Sequence, residues 1–562
     1  MKRLLICLIT AVHACHAYGQ TPLFIPAALT GTTFNLNVQS GTTSFFPGYN
    51  TPTYGVNGSL LAPTLIFNQG DSIHINVTNS LPVTTTMHWH GLHVPAMYDG
   101  GPEQVISPGT TWQPVFKMIN DAGTYWYHPH GLGKTDLQVS KGIAGMIIVK
   151  DPVEAALNLP RTYGVDDFPV IVQTKAFDML RQIAIATEDD TLLMVNGTVD
   201  PYLDAPAQVV RLRILNGSSM RSYMFGFSGN LPFKLIANDG GLLDTSTTLT
   251  RIRLSPGERI EVLLDLTGKA GQTIYFKNYG SELPAGIYGA AVAGTGAATI
   301  PFYNLNHLNG SDYNVMKLNV VAPTASPVTS IPATLATLSP WSVSSVDTTR
   351  TFKFDPKIAD STTFAMGPFN INDTQFDMGL INVVTYINNT EIWTLINNTM
   401  IAHPFHIHDV FFYILDINGV PPPVFERGKK DVVLVMPGDT VRFITKFEDY
   451  ADELTPYMYH CHLLHHEDDG MMGQFVVMPD KTMVKPVSKE ADILLYPNPS
   501  NDKLTVTSNS TINTLSISNL FGQTLFTQQY HSPKVEVDIA DLPAGVYFIR
   551  INNTDVQKFV KQ

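Results

Sequence analysis

Ser72-Ile73-His74-Ile75-Asn76-Val77-Thr78 alternates polar and apolar residues, and this alternation decides the fold class. The same period of two recurs in Val210-Arg211-Leu212-Arg213-Ile214 and in Thr440-Val441-Arg442-Phe443-Ile444-Thr445. Because successive side chains of a strand point to opposite faces of a sheet, each stretch predicts a half-buried strand. Asn-Gly and Asp-Gly pairs, which favour tight turns, stand at positions 57–58, 99–100, 196–197, 216–217, 239–240 and 418–419. No long stretch shows a helical period, so the sequence predicts an all-β protein of sandwiches or barrels.

The composition agrees with this fold class and excludes several others. Of the 562 residues, 44% are hydrophobic and 15% are charged, which is too apolar for a disordered chain and too poorly charged for a long coiled coil. The formal net charge of −13 offers no basic surface, so nucleic acid is not an expected partner. Cys7 and Cys15 lie in a targeting segment, which leaves Cys461 alone in the exported chain and excludes an intramolecular disulfide framework.

Residues 1–19 have the pattern of a signal peptide. Two basic residues precede the short apolar run from Leu4 to Val12, and Ala17-Tyr18-Gly19 is a suitable cleavage site. The alternatives are a buried first strand or a lipid-attachment site at Cys15, whose preceding residues fit that pattern badly. No other apolar run reaches the length of a membrane span, so we expect no transmembrane segment in the mature chain.

Shifts in composition divide the remaining chain. Residues 321–349 are rich in Ala, Pro, Ser and Thr, and the segment from Pro479 to Glu490 is short, charged and contains proline. We therefore expect one β-sandwich domain each at 20–160, 161–320 and 350–480, a linker at 321–349, and a small separate module at 490–562.

Histidine is concentrated in four short motifs. More than half of the 17 histidines fall in His88-Trp89-His90-Gly91, His128-Pro129-His130, His403-Pro404-Phe405-His406-Ile407-His408 and His460-Cys461-His462-Leu463-Leu464-His465-His466. Side chains at i and i+2 of a strand share a face, so each His-x-His pair can grip a metal ion. The pairs 88/90, 128/130, 406/408 and 460/462 offer enough imidazoles for three ions. Two pairs come from each of two predicted domains, so we expect the cluster at the interface of those domains.

Cys461 lies between two of these histidines and must face the opposite side of its strand. There we expect it to meet His403, His466 and Met471. One thiolate, two imidazoles and a weak thioether form the donor set of a blue-copper electron-transfer site, whereas zinc prefers four full-strength ligands. His93 and His465 are near enough in sequence to line the sites, although a structural role is the more ordinary interpretation.

The four motifs resemble the signature motifs of the multicopper oxidases, the laccase-like family, over about residues 30 to 480. The resemblance implies three cupredoxin-like Greek-key sandwiches, the middle one without ligands, and four copper ions. It implies a type 1 copper with the ligands His403, Cys461, His466 and axial Met471. It implies a type 2 copper with the ligands His88 and His406. It also implies a type 3 copper pair with the ligands His90, His128, His130, His408, His460 and His462. It also implies that electrons from a donor enter at type 1 copper, pass through the cysteine and its flanking histidines, and reduce dioxygen to water.

Within this family, the motifs around His88 and His460 look most like those of bacterial copper-efflux oxidases. The chain departs from that group in the third predicted domain, where residues 350–400 contain only Met366, Met378 and Met400 instead of a methionine-rich insert. Thr399 and Ile401 stand where such enzymes usually carry acidic and methionine residues. This departure favours a phenolic or other organic donor, with cuprous ion as the alternative donor.

The resemblance also points to two acids as a proton relay to the cluster. Asp99 lies nine residues after His90, and Glu467 directly follows His466. Both positions match acids that the similar bacterial enzymes use. Each also has an ordinary interpretation, because Asp99 opens an Asp-Gly-Gly turn and Glu467 begins an acidic run.

The C-terminal module resembles a different family. Tyr496-Pro497-Asn498-Pro499-Ser500, Leu542-Pro543-Ala544-Gly545-Val546-Tyr547-Phe548 and the closing Lys558-Phe559-Val560-Lys561-Gln562 are similar to the type A sorting domain of type IX secretion in Bacteroidetes. This resemblance implies a small β-sandwich fold for the module. It also implies passage through the periplasm to the cell surface or medium, with the type IX machinery as a partner. A carbohydrate-binding or fibronectin-like module is the alternative.

Other functions stay open at this point. A copper-sequestering protein would use the same ligands without turnover, and a structural scaffold would not need them. A copper nitrite reductase would not need the additional histidine pairs. The identity of the donor is not encoded in these motifs, because loops form the rim of a type 1 site.

Overall fold

The structure is a computed structural model that describes residues 20–185, 187, 189–295, 300–357, 367–479, 493–520, 523–552 and 555–562. The predicted signal peptide, Met366 and nearly all of the segment from Pro479 to Glu490 lie outside the described residues. The chain divides into two compact units, Met1–Pro479 and Asp480–Gln562. Strands dominate both units, which confirms the all-β prediction.

The first part of the larger unit is a two-sheet sandwich. One sheet contains, in spatial order, Tyr49–Val56, Thr33–Phe46, Ser72–Asn79 and Thr111–Trp112, with Val115–Lys117 also paired to the third of these strands. The other contains Ala28–Thr30, Thr64–Asn68, Gly145–Lys150 and Gly123–Tyr127. Apolar side chains of both sheets, including Phe34 and Leu65, share one core. Ser72–Asn79 buries every second residue, as its alternation predicts.

The second part of this unit is a larger sandwich. One sheet orders Thr198–Val199, Leu192–Val195, Asp167–Phe177, Val209–Asn216, Arg259–Asp265, Phe233–Asn238 and Gly241–Leu249, with Ile183–Ala184 beside the third strand. The other orders Thr21–Pro22, Pro201–Pro206, Asp312–Val321, Thr273–Tyr279, Tyr223–Phe227 and Ile252–Leu254. The first strand of the described chain therefore pairs with this sandwich, parallel to Pro201–Pro206. A single large core joins the two sheets.

One strand of this sandwich differs from its prediction. Alternation predicts that Val210 to Ile214 is half-buried, yet every residue of Val209–Asn216 is buried. Arg211 and Arg213 occupy the polar face, where they form ion pairs with Glu154, Glu261 and Asp167. The half-buried prediction is wrong because paired arginines give the same sequence pattern as solvent-facing ones.

The third part is again a two-sheet sandwich, and it carries most of the predicted ligands. One sheet orders Phe369–Ile371, Thr348–Pro356, Thr390–Asn397, Thr440–Lys446 and Phe412–Ile417. The other orders Val383–Tyr386, Met472–Met478, Asp452–Cys461, His403–Ile407 and Val432–Val435. Its core is rich in aromatic residues and includes Cys461 and Met471.

Helices are short and few among the described residues. The α-helices are Thr135–Lys141, Pro152–Ala155 and Leu464–Asp468, and the 3-10 turns are Ala96–Tyr98, Ser228–Asn230, Gly280–Glu282, Tyr303–Leu305, Val343–Ser345 and Val424–Glu426. None of the described helices has the length and apolar character needed to cross a membrane.

The smaller unit is an antiparallel sheet with its own apolar core. Its strands are Leu494–Tyr496, Lys503–Ser518, Gly545–Ile551 and Asp555–Lys561 in spatial order, with Thr524–Asp538 also paired to Lys503–Ser518. The core contains residues such as Leu504, Ile517 and Phe559.

Candidate metal centres

The local strand register separates the predicted ligands onto two faces. His403–Ile407 pairs antiparallel with Asp452–Cys461, so that Phe405 lies opposite Cys461 and His406 lies opposite His460. Since side chains alternate along a strand, His403 shares the face of Cys461, whereas His406 and His460 share the other face. One pair of neighbouring strands thereby supplies ligands to two different centres.

On the first face, Cys461 meets two histidines. Its sulfur lies 3.4 Å from His403 Nδ1 and 3.6 Å from His466 Nδ1, and all three side chains are buried. His466 comes from the short helix Leu464–Asp468 that follows the Cys461 strand. Burial raises the pKa of the Cys461 thiol, so a thiolate here requires a cation beside it.

A hydrogen-bond chain fixes the tautomer of His403. The Thr399 hydroxyl lies within hydrogen-bond distance of two acceptors, the side-chain oxygen of Asn397 and the carbonyl of Ile401. Because the Thr399 hydroxyl donates its proton to one of these two oxygens, the Thr399 oxygen accepts a hydrogen bond from His403 Nε2–H at 2.8 Å. The lone pair of His403 Nδ1 is then directed at Cys461, as a metal ligand requires.

On the second face, the histidine pairs converge into one buried cluster. His90 stacks on His406 with ring centroids 3.7 Å apart, and His88 stacks on His408 at 3.8 Å. Potential ligand atoms lie within 4.8 Å of one another in three groups made only of histidines: His88, His90 and His406; His90, His128 and His462; His130, His408 and His460. The structure therefore brings together, at the junction of the first and third sandwiches, all eight histidines that the sequence assigns to the cluster.

Backbone and side-chain oxygens orient most of these imidazoles in the same way. Nδ1–H donates to a neighbouring oxygen at 2.7–3.0 Å in His88, His128, His406, His408 and His460. His90 is reversed, with Nε2 lying 3.3 Å from Asp431 Oδ1 and Nδ1 lying 3.2 Å from His462 Nε2. A histidine that donates from one ring nitrogen presents the lone pair of the other to a metal.

The cluster has the signature of a site that needs cations. The Nε2 atoms of His88, His128 and His406 are buried and have no hydrogen-bond partner among the described residues. His460 Nε2 faces two other Nε2 atoms, those of His130 at 3.1 Å and His408 at 3.3 Å. Burial lowers the pKa of His408 to about 4 and holds those of His128, His130 and His460 well below the usual value. Neutral, unsatisfied imidazoles that converge in this way fit metal ions, so the donor set agrees with the implied cofactor.

The two predicted proton-relay acids both lie against this cluster. Asp99 Oδ2 accepts from His408 Nδ1 at 2.7 Å, and Asp99 carbonyl oxygen accepts from His88 Nδ1 at 2.9 Å. Gly100, at φ +85°, is required beside it because a Cβ there would lie 1.8 Å from Met87 O. Glu467 has an oxygen 3.2 Å from His460 Nδ1 and another 3.6 Å from His130 Nδ1.

The surroundings of these acids affect their protonation differently. Burial raises the pKa of Glu467 well above its usual value, and nearby Asp468 adds to this, so the acid form is favoured. Burial also acts on Asp99, but His408 and His88 outweigh it and hold the pKa of Asp99 below its usual range.

The other residues singled out in the sequence have clear places. Met471 is fully buried, and its backbone carbonyl accepts from Cys461 N at 3.0 Å, which puts it next to the thiol centre. His93 bonds instead to Asp409 at 2.7 Å and Asp449 at 3.1 Å. His465 is part-exposed and lies 3.6 Å from Asp469. His93 and His465 are thus absent from the ligand groups found among the described residues.

Sequence reasoning missed two charged residues at the cluster, Arg259 and Asp431. Asp431 contacts His90 through its carboxylate and His406 through its carbonyl oxygen, and Arg259 pairs with that carboxylate. Neither residue belongs to a sequence motif. Only their complete burial, which is seen in the structure, indicates that they matter to the site.

Comparison with known families agrees with these centres. The multicopper oxidase family profiles match residues 37–154 and 345–481, which contain all the predicted ligands. The profile of the secretion system C-terminal sorting domain matches residues 494–562. Fold and sites together thus define a copper oxidoreductase built from cupredoxin-like sandwiches, followed by an export module.

Sequence relatives extend this result over most of the chain. A multicopper oxidase of Staphylococcus haemolyticus is 34% identical over 454 residues, which covers 79% of this chain and 88% of the relative. The cell division protein FtsP of Escherichia coli is 30% identical over 476 residues and covers 83% and 94%. The chain belongs to the multicopper oxidases, which are oxidoreductases with dioxygen as the acceptor.

Solved structures show the same architecture. A laccase-like multicopper oxidase of Ochrobactrum sp. superposes with a TM-score of 0.72 at 33% identity and covers 81% of this chain and 100% of its own. The McoA multicopper oxidase of Aquifex aeolicus gives 0.71 at 29% identity, with coverages of 82% and 100%. The predicted cupredoxin-like fold is confirmed.

Proposed function

We propose that this protein is an exported laccase-like enzyme that holds four copper ions and oxidises a phenolic donor. His403, Cys461, His466 and Met471 hold type 1 copper, and His88 and His406 hold type 2 copper. Each of the two remaining groups holds one ion of the type 3 pair. These groups are His90, His128 and His462, and His130, His408 and His460. The single observation that carries the proposal is the convergence of these buried donor atoms on two centres.

The relatives include proteins named for cell division as well as oxidases. The complete donor set, with most of its imidazoles oriented by hydrogen bonds to neighbouring oxygens, supports turnover rather than a purely structural role.

Bound copper supplies one-electron chemistry at the thiolate centre and the reduction of dioxygen at the cluster. Cys461 connects the two, because its chain neighbours His460 and His462 both enter the cluster. His460 Nδ1–H also donates to Cys461 O at 3.0 Å, which adds a hydrogen-bonded path parallel to the covalent one. The covalent path between the two centres thus runs through two adjacent residues, Cys461 and either His460 or His462.

Protons reach the cluster from the two acids in this proposal. Reduction of dioxygen to two waters consumes four protons, and imidazoles bound to copper cannot supply them. Burial favours the acid form of Glu467, and its oxygens lie 3.2 Å from His460 Nδ1 and 3.6 Å from His130 Nδ1, so it is placed to give up a proton at the cluster. Asp99 would receive and return protons on the other side, next to His408 and His88.

The surroundings of the thiolate centre favour an organic donor over cuprous ion. A cuprous site needs soft, free ligands, but the Met400 sulfur is 3.3 Å from the Thr295 hydroxyl, and the Thr399 hydroxyl is bonded to His403. Phe369 packs edge-on against both His403 and His466, with each pair of ring centroids 4.7 Å apart. The Ochrobactrum relative is described as active on lignin model compounds, which also favours an aromatic donor.

Oxygen consumption by the purified, copper-loaded protein tests the proposal. We expect a phenolic donor to support oxygen uptake at four donor oxidations per dioxygen, with no hydrogen peroxide released. Full copper content without uptake on either phenol or cuprous ion would instead identify a copper-sequestering protein. Uptake with cuprous ion alone would identify a cuprous oxidase.

The C-terminal unit fits delivery by type IX secretion in a Bacteroidetes-type bacterium. Its profile match covers almost the whole unit, and the metal centres lie entirely in the other unit. Export would place the oxidase at the cell surface or in the medium, where dioxygen and soluble donors meet it.

A further inference from the structure

The middle sandwich supplies none of the predicted ligands, yet its turn before Arg259 touches the histidine cluster. Gly257 has φ +86°, and a Cβ there would lie 2.9 Å from the His462 ring. Two residues later, Arg259 begins a strand of the middle sandwich and is completely buried. A buried arginine in this position must have a partner for every N–H group.

Arg259 satisfies all of its side-chain donors within the protein. Nε donates to Thr124 O at 3.2 Å, Nη1 to Gly257 O at 3.1 Å, and Nη2 to Asp239 O at 2.9 Å. The two remaining N–H groups form a fork with Asp431, each 2.6 Å from one carboxylate oxygen. Thr124 is in the first sandwich and Asp431 is in the third, so one side chain connects three sandwiches.

Asp431, which Arg259 holds in place, contacts two histidines of the cluster. Its Oδ1 lies 3.3 Å from His90 Nε2, and its carbonyl oxygen accepts from His406 Nδ1 at 2.8 Å. These two rings form one of the two stacked pairs in the cluster, with His90 from the first sandwich and His406 from the third. The neighbour Lys430 is held by the middle sandwich as well, at 2.8 Å from Glu258 and 3.0 Å from Asp239.

We propose that Arg259 is a positioning residue for the trinuclear copper site, acting through Asp431 on His90 and His406. This inference rests on the proposed copper assignment, in which His406 serves type 2 copper and His90 serves the type 3 pair. Type 2 copper has only two protein ligands there, so it depends most on the orientation of each ring. The middle sandwich thus contributes to the metal site without supplying a ligand.

Copper retention separates this role from general stability. In Arg259→Gln, we expect the affinity for type 2 and type 3 copper, measured by chelator competition, to fall about 10- to 100-fold. This is the usual loss when a residue that holds a metal ligand in place is removed. The paramagnetic resonance signal of type 2 copper should weaken, while the blue absorption of type 1 copper should persist. Arg259→Lys keeps the charge but not the fork, so it should recover only part of the loss.

Arg211 offers the matched control. It is as deeply buried in the same sandwich and pairs with Glu154 and Glu261, but it contacts no predicted ligand. Arg211→Gln should lower thermal stability while keeping the type 2 signal and the copper content. Equal loss of cluster copper in Arg211→Gln and Arg259→Gln, or wild-type retention in either Arg259 variant, would overturn the proposal.

Asp431→Asn tests the same contact if Arg259→Gln does not fold. The amide has one acceptor oxygen where the carboxylate has two, so it cannot serve both Arg259 and His90 fully. We expect weaker retention of type 3 copper, and retention at the wild-type level would contradict the positioning role. Copper analysis of the wild-type protein comes first, because fewer than four ions there would contradict the proposed function itself.

Discussion

The thiolate centre and the histidine cluster are built in different ways, although they share a strand. The donors around Cys461 all come from residues 403–471 of one sandwich. The cluster draws half of its histidines from residues 88–130 and half from 406–462, and it forms only where two sandwiches meet. The first centre is therefore a property of one sandwich, and the second depends on how separate parts of the chain pack together.

This difference explains why buried charges lie beside the cluster. Contacts within a sandwich are fixed by strand register, whereas an interface needs additional interactions to fix its geometry. Arg259, Asp431 and Lys430 provide such interactions through charge-assisted hydrogen bonds. The thiolate centre is instead enclosed by apolar and aromatic side chains such as Phe369.

The strongest test of the comparison removes the thiolate. In Cys461→Ser we expect the blue charge-transfer band and nearly all turnover to disappear, because a hydroxyl cannot replace the soft ligand. The type 2 resonance signal should remain, since the cluster is assembled from other residues. A variant that stays blue would contradict the assignment of Cys461.

The second test acts on the cluster without touching its ligands. In Glu467→Gln and Asp99→Asn we expect turnover to fall by about 10²–10⁴-fold, the usual contribution of a positioned acid. Stopped-flow absorption should show fast reduction of type 1 copper but slow reoxidation by dioxygen, with copper content and blue colour retained.

Asp469 provides the control for this second test. It belongs to the same acidic run but its side chain is exposed, so Asp469→Asn should reoxidise at the wild-type rate. If Glu467→Gln and Asp99→Asn both do the same, the protons come from another source.

A third, smaller effect is expected at the axial position of the thiolate centre. Met471→Leu should keep the blue colour and raise the reduction potential, because a weak donor to oxidised copper is lost. Each rise of about 59 mV favours reduction of this one-electron centre tenfold. Redox titration measures the shift, and a lowered potential would exclude Met471 as the axial ligand.

The smallest effect on catalysis is expected from removing the C-terminal unit. Deletion of residues 490–562 should leave copper content and turnover unchanged, because the ligands all belong to the other compact unit. The truncated protein should fail to reach the cell surface or medium of its native host, which fractionation and immunoblotting would reveal. Normal secretion would remove the sorting interpretation.

The sequence predicted much of this structure because its signals are local. Alternation in Ser72–Asn79 indicated a half-buried strand, and the structure confirms it. The same pattern gave a wrong prediction of a half-buried strand at Val209–Asn216, where Arg211 and Arg213 are buried. Alternation reports which residues are polar, but only the packing of partners such as Glu261 decides whether a polar face meets solvent.

The sequence by itself determined the all-β fold and the ligand types, because a His-x-His pair on a strand fixes both spacing and face. It also separated Cys461 from its two neighbouring histidines for the same reason. Only the tertiary structure decided how His90 meets His406, and that Arg259 and Asp431 hold them. Those contacts join residues more than 150 positions apart, and no local pattern encodes them because their geometry arises from the packing of three sandwiches.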